Sequence, residues 1–463
     1  MKKINKILIS TVCAVLMTVP VLFTACGKDD GGDPTVEKVD YVSACTLDFT
    51  NNTKKQEVSV RLYVDGDTTH FDPVTDSAIA TNPSSDFAET QGYIKARYLA
   101  INTPECTGKI EEWGAAAAAF TRSKLESAQT IIVESDDDKW NIDSTGERYT
   151  LWVWYLPKGA TEYRNLNLEI LQEGLAIGSS AANNRYGTLA TNAIAQAKEL
   201  QLYVFSGKRD PDFFYGEAIP VTLKELRFHM EDYKNKKVKV EGVVTAEYGN
   251  SVYIEDFDAD SETYFGMPVY YSYNPPAALL DILSIGNLVS VVGTVSYYEA
   301  GDIYQISGVT YNAYKPDSAG NTTLVSKGHD PAFAEASAKD IVSGTLSVSF
   351  EKENEEGEIE IETKQLAYGE AVMSTSVTVK NLTVVSAYTT PSGNSKGAMS
   401  LTCTAEDGTE IVVRTEVLKD AEGNLVTQDK YEGKTITVKG LVDKFKGEYQ
   451  ISVYRADFIT IVE

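Results

Sequence analysis

Histidine is nearly missing from this chain. His70, His229 and His329 are the only three in 463 residues, and none stands near a partner motif. There is no H-E-x-x-H, no G-x-S-x-G, no Walker loop and no glycine-rich dinucleotide turn. A histidine-based acid/base enzyme or a zinc hydrolase is thereby disfavoured, and any catalysis must rest on carboxylates, arginines and a metal. Cysteine is also scarce. Five occur, none in a C-x-x-C pair, so zinc-ribbon and thioredoxin-type readings fail. Cys45, Cys106 and Cys403 lie beyond the N-terminal region, and a Cys45–Cys106 disulfide stays open. Positive charge is short as well: 42 Lys and Arg against 67 Asp and Glu leave a formal charge of −25. Such a chain does not bind nucleic acid by net electrostatics alone. It can still handle a phosphodiester if a cation mediates.

What is present begins with an apolar N-terminus. MKKINK is basic, ILISTVCAVLMTVPVLF is apolar, and the small residues of T-A-C-G follow. This order predicts a secretory signal over residues 1–25 of the bacterial lipoprotein type, with Cys26 as the lipidated first residue. Phe23 stands where such signals usually carry Leu, and plain secretion is the alternative. The mature chain is thus expected on the extracellular face of a bacterial membrane, lipid-anchored, or secreted. GKDDGGDPTVEKVD is polar and Gly-rich, which suits a flexible tether, assigned to residues 26–56.

The length allows two to four domains. In residues 57–207, the β-prone runs VSVRLYV, YIKARYLAI, TIIVES and YTLWVWYL mix with three helical stretches: GAAAAAFTRSKLESA, LNLEILQEGLA and Thr188 to Leu202. Strands followed by helices point to an α+β domain built on a small barrel. Residues 221–315 carry short alternating strands bounded by Gly, Asn and Asp. Residues 344–463 repeat the theme: GNLVSVVGTVSYYEAGDIYQIS from Gly286 and GKTITVKGLVDKFKGEYQIS from Gly433 share their glycines, a hairpin and Y-Q-I-S. The mid-strand Gly293 and Gly440 fit tightly bent barrel strands. Both blocks resemble the OB-fold, a five-stranded barrel that often carries single-stranded nucleic acid or oligosaccharide. Residues 316–343, rich in small polar residues, are expected as a linker. The expected architecture is therefore multidomain: an α+β OB-like five-stranded barrel with three helices, then two mainly-β OB-like barrels.

Oxygen ligands concentrate in the first block. VDGDTTHF offers Asp65 and Asp67 on an Asp-Gly turn, and RYLAINTPE offers Arg97, Asn102, the Thr103 carbonyl and Glu105. STGERYTLWVWY offers Arg148 at the start of a strand. Carboxylate, amide and backbone oxygens are what Ca²⁺ prefers. A cation there would neutralise phosphate, two arginines would clamp it, and a nearby carboxylate would deprotonate water. Each piece also has a plain structural meaning: Asp-Gly is a hairpin turn, and Pro-Glu commonly leads into a helix.

Taken together, D-G-D-T, R-x-L-x-x-N-T-P-E, E-x-W-G-x-x-A-x-x-F-T-x-x-x-L-E-x-A and the arginine before an aromatic strand fall in the order of one family. The first block resembles the staphylococcal nuclease-like (thermonuclease) family over nearly its whole length. The resemblance implies an OB-like barrel with three helices and Ca²⁺-dependent hydrolysis of DNA and RNA phosphodiesters, leaving 3′-phosphates. It implies metal ligands at Asp67, Asn102 and the Thr103 carbonyl, with Asp65 supporting them. Glu105 falls on the general base, and Arg97 and Arg148 on the arginines that bind phosphate. Two departures stand out: the family's best-known members carry aspartate at the Asn102 position, and Glu147 separates Gly146 from Arg148. On this reading one strand holds the phosphate clamp at one end of a short segment and the metal-plus-base cluster at the other. The rival reading is a weak or dead nuclease fold that binds nucleic acid or glycan.

Overall fold

The computed structural model describes residues 38–77, 92–145, 148–272, 275–318, 320–353, 358–392 and 395–462. The segment expected as a signal, with Cys26, and Gly146 and Glu147 lie outside the described residues. The chain divides into two units, Met1–Lys38 and Val39–Glu463, and the three sheets belong to the second.

Three sheets each close into a five-stranded barrel with the same path. In the first, β1 (Lys55–Tyr63), β2 (Thr68–Pro73) and β3 (Ile94–Tyr98) run as a meander. β4 (Ala128–Glu134) then pairs back onto β1, and β5 (Tyr149–Pro157) joins β4 to β3. The closing β3–β5 pairing is parallel, with Ala96 opposite Tyr149 and Arg97 opposite Thr150. Closure leaves no free edge, and a barrel of this size is filled by side chains alone. Phe71, Ile94, Ile132, Leu151, Trp152 and Trp154 fill or flank this one without solvent exposure. Helix α1 (Gly114–Glu126) sits between β3 and β4, and α2 (Leu166–Gln172) and α3 (Gly187–Glu199) follow β5, three helices as the pattern predicts. Asn165 caps α2, its side chain accepting from the Leu168 N–H at 3.0 Å. Asn167, fully buried, ties α2 to the barrel through the Val153 N–H and the Leu99 and Leu151 carbonyls.

The second barrel comprises β6 (Lys237–Tyr248), β7 (Ser251–Asp258), β8 (Thr263–Tyr270), β9 (Asn287–Tyr298) and β10 (Ile303–Ser307), closed by parallel β8–β10 pairing. The third repeats it with β11 (Ser376–Thr389), β12 (Met399–Thr404), β13 (Glu410–Thr415), β14 (Thr435–Phe445) and β15 (Glu448–Val453). The sequence repeat falls on β9–β10 and β14–β15. A Cβ on Gly293 would lie 2.8 Å from the Ser307 carbonyl oxygen, and one on Gly440 would lie 2.6 Å from that of Ser452. Each glycine therefore lets two neighbouring strands of a tight barrel approach at the equivalent place.

Two stretches read from composition as tether and linker carry ordered contacts. Val42 and Cys45 are buried in the first core, and the Tyr41 N–H donates to Gln172 Oε1 at 2.7 Å. Their apolar residues follow neither a helical nor a strand period, so no pattern announced them. Thr323–Lys327 pairs with β9, and Ala334–Glu335 with β11, so residues 316–343 extend one sheet and then the other. The described cysteines Cys45, Cys106 and Cys403 are all free thiols.

Candidate active site

The Asp-Gly turn between β1 and β2 is pressed against the residues that follow β3. A Cβ on Gly66 would lie 2.8 Å from both Ala117 Cβ and Thr103 Cγ2, so glycine is what allows the approach. The Gly66 carbonyl accepts from Thr121 Oγ1 of α1 at 2.6 Å. Asp67 is consequently buried, 3 % exposed. Its carbonyl accepts from the Tyr98 N–H at 2.8 Å, and its Oδ2 accepts from the Thr103 N–H at 2.8 Å. Its Oδ1 pairs with the Arg97 guanidinium and accepts from Thr68 Oγ1. Asp65 supports the turn by accepting the Asp67 N–H at 3.0 Å. Burial pushes the Asp65 carboxyl up, while Arg97 and bonds from Thr68 oppose the shift.

The segment RYLAI does not run as one strand. β3 stops at Tyr98, Ala100 adopts φ 70°, and Ile101–Asn102 pairs instead with Ile177–Gly178. The kink turns Asn102 back toward its own strand, and Arg97 donates to Asn102 Oδ1 at 2.6 Å. Arg97 and Asn102 therefore meet in one cluster, where the linear reading placed them at opposite ends of a segment.

Glu105 is solvent-exposed and fixed by its backbone: its N–H donates to Glu111 Oε2 at 3.3 Å, and its carbonyl accepts from the Glu111 N–H at 2.9 Å. The protein around its carboxyl still displaces enough water to push its pKa up; Asp65 acts in the same sense, and Arg97 and Arg148 oppose it. Arg148 immediately precedes β5 and donates through Nε to Asp143 Oδ2 at 2.7 Å. Its charge reaches Asp65, Arg97 and Glu105. Thus Asp67, Arg97, Asn102 and Thr103 are in direct contact, Asp65 supports them, and Glu105 and Arg148 stand within electrostatic reach.

Asp143 was not picked out from sequence. It closes an Asx turn by accepting from the Thr145 N–H at 3.1 Å, and it orients Arg148. The string D-S-T is the local signal for such a turn.

Residues 95–204 match the family model described as Staphylococcal nuclease homologue. The chain carries a staphylococcal nuclease homologue domain. No curated protein matches the chain. The nuclease match begins inside β3, so β1, β2 and the Asp65–Asp67 turn belong to the domain by barrel closure.

That family implies a cation, which the residues at this corner of the barrel would have to hold. The donors are all oxygens, and Asp67 Oδ1 and Asn102 Oδ1 both receive one guanidinium. A carboxylate and an amide oxygen thus converge on a single positive group, with Thr103 beside them, which fits a hard cation. Among the described residues no group of three or more His, Cys, Asp or Glu is placed to hold a metal. The predicted set contains one carboxylate, so its negative charge is low for a divalent ion.

Proposed function

We propose that this chain is a cell-surface Ca²⁺-dependent nuclease that hydrolyses DNA or RNA phosphodiester bonds, anchored by a lipid on Cys26. The observation that carries the reading is the meeting of Asp67, Arg97, Asn102 and Thr103 at one corner of a barrel that matches the nuclease family. Asp67, Asn102 and the Thr103 carbonyl would hold calcium, which when bound supplies the charge that neutralises a phosphate. Glu105 takes the proton from the water that adds to phosphorus. A carboxyl raised above the ordinary glutamate range is a stronger base for that transfer. The bond from phosphorus to the 5′-oxygen breaks, and that oxygen leaves as a hydroxyl after taking up a proton, with the phosphate kept on the 3′ side as the resemblance implies. Arg97 and Arg148 hold the phosphate oxygens and meet the charge that grows on them as water adds. In this reading the two accessory barrels bind nucleic acid or cell-surface glycan and keep substrate near the site.

Cleavage of single-stranded DNA by the soluble protein, begun after Cys26, tests this in Ca²⁺ and in chelator beside Glu105→Gln. Calcium-dependent cleavage that the variant loses is expected. No cleavage at millimolar Ca²⁺ would favour a non-catalytic binding protein, the reading that neutral Asn102 supports.

A further inference from the structure

The loop that presents Glu105 is gripped by a segment beyond the nuclease match. It ends at Trp113, whose φ is 68°, and at Gly114, where a Cβ would collide with the Glu105 carbonyl. Glu105 therefore rests against the first turn of α1, and the placement of Trp113 sets the placement of both. The Trp113 N–H donates to Asp210 Oδ2 at 2.6 Å. Asp210 is 3 % exposed, its other oxygen accepts from the Asp212 N–H at 2.9 Å, and its own N–H donates to Tyr215 Oη at 2.8 Å. The Tyr215 hydroxyl donates in turn to Glu112 Oε2 at 2.6 Å, and the Arg209 guanidinium lies 3.9 Å over the Tyr215 ring. One short run, Arg209–Tyr215, thus holds two consecutive residues of the loop.

The second barrel backs the same loop from another direction. Gly308, with φ 57°, sits where a Cβ would be 2.9 Å from the Gly108 carbonyl oxygen. Arg122 of α1 pairs with Glu299, beside β9. The loop is short of secondary structure of its own, and its shape comes from these outside partners.

We propose that Asp210 is a positioning residue for Glu105, a role that rests on the reading of Glu105 as the base. Asp210 touches neither the phosphate clamp nor the predicted metal ligands. It fixes the N–H at the head of α1 with a charge-assisted bond, and through the Gly114–Glu105 contact it fixes where the carboxylate is offered. Displacing a reacting group by about 1 Å costs on the order of 100-fold in rate. Loss of this bond therefore lowers kcat and leaves KM nearly alone, since Arg97 and Arg148 still bind the phosphate.

The test uses the chain from after Cys26 and its Asp210→Ala, Asp210→Asn and Tyr215→Phe variants. Steady-state cleavage of single-stranded DNA and amide hydrogen exchange over residues 104–113 are measured on each. Asp210→Ala is expected to lose about 10- to 100-fold in kcat with little change in KM, and to exchange faster in that loop alone. Asp210→Asn keeps an acceptor for Trp113 and should recover part of the rate. Tyr215→Phe, a milder change, should loosen the loop without unfolding the domain. Unchanged kcat, or loss of protection throughout the barrel, would overturn the role. If the parent protein itself cleaves nothing, the nuclease reading fails instead; unchanged loop exchange would then still refute the grip by Asp210.

Discussion

Arg97 donates to the Asn102 amide oxygen at 2.6 Å while pairing with the Asp67 carboxylate, so one guanidinium stands where two predicted metal ligands converge. The first prediction follows from the neutrality of Asn102. Calcium affinity rises with the number of charged ligands, so Asn102→Asp should bind Ca²⁺ on the order of tenfold more tightly. Calorimetric titration of the metal reads this directly, and equal affinities would remove residue 102 from the ligand set.

Arg97 also neutralises a carboxylate that is 3 % exposed. Arg97→Ala leaves Asp67 buried without its counter-charge, at a cost of about 3 kcal/mol, the lower end for a pair that is not fully buried. Calcium should restore more melting temperature to this variant than to the parent, because the cation takes over the role of the guanidinium. Equal calcium responses would place the metal elsewhere.

The two accessory barrels share one buried carboxylate. Glu255 of β7 accepts from the Ala332 N–H at 2.9 Å, from the Ser376 N–H at 2.7 Å and from Ser376 Oγ at 2.9 Å. Glu255→Ala strands the buried Ser376 N–H and the partly buried Ala332 N–H and should cost about 3 kcal/mol. Calorimetry should then resolve the barrels into separate transitions, whereas a single unshifted peak would show them coupled by other contacts.

An acid-sensitive contact holds the segment around Val42. Burial alone would raise the Asp40 carboxyl, but bonds from Ser43 and Arg164 outweigh it and hold its pKa down at about 2, against an ordinary 3.8. A depressed folded pKa stabilises the fold above the unfolded value, and that stability disappears as pH falls from 3.8 toward 2. Amide exchange over residues 39–45, corrected for its intrinsic pH dependence, should accelerate in that window. In Asp40→Asn the effect should vanish.

The repeat glycines give a matched pair of tests. Gly293→Ala and Gly440→Ala each drive a methyl against a strand carbonyl and an isoleucine side chain. Each should cost about 1–3 kcal/mol, the usual range for overpacking. If melting temperatures are unchanged, the strands separate more easily than their spacing suggests.

Local pattern alone carried much of this molecule. Period-2 apolar runs and Ala- and Leu-rich helical stretches define the strands and helices, because burying one face of each is a local property of the chain. The repeated Gly and Y-Q-I-S marked the two accessory barrels as copies, and the D-G-D-T and N-T-P-E strings marked the candidate site. Tertiary structure decided the rest. The kink at Ala100 that folds Asn102 onto Arg97 depends on pairing with Ile177–Gly178, some 75 residues away. The packing of residues 39–49, the partnership of Asp143 with Arg148 and the grip of Asp210 on Trp113 have weak or no periodic signature. A hydrogen bond between distant segments is specified by the closed shape of the barrel, which brings its ends together only after the chain has folded.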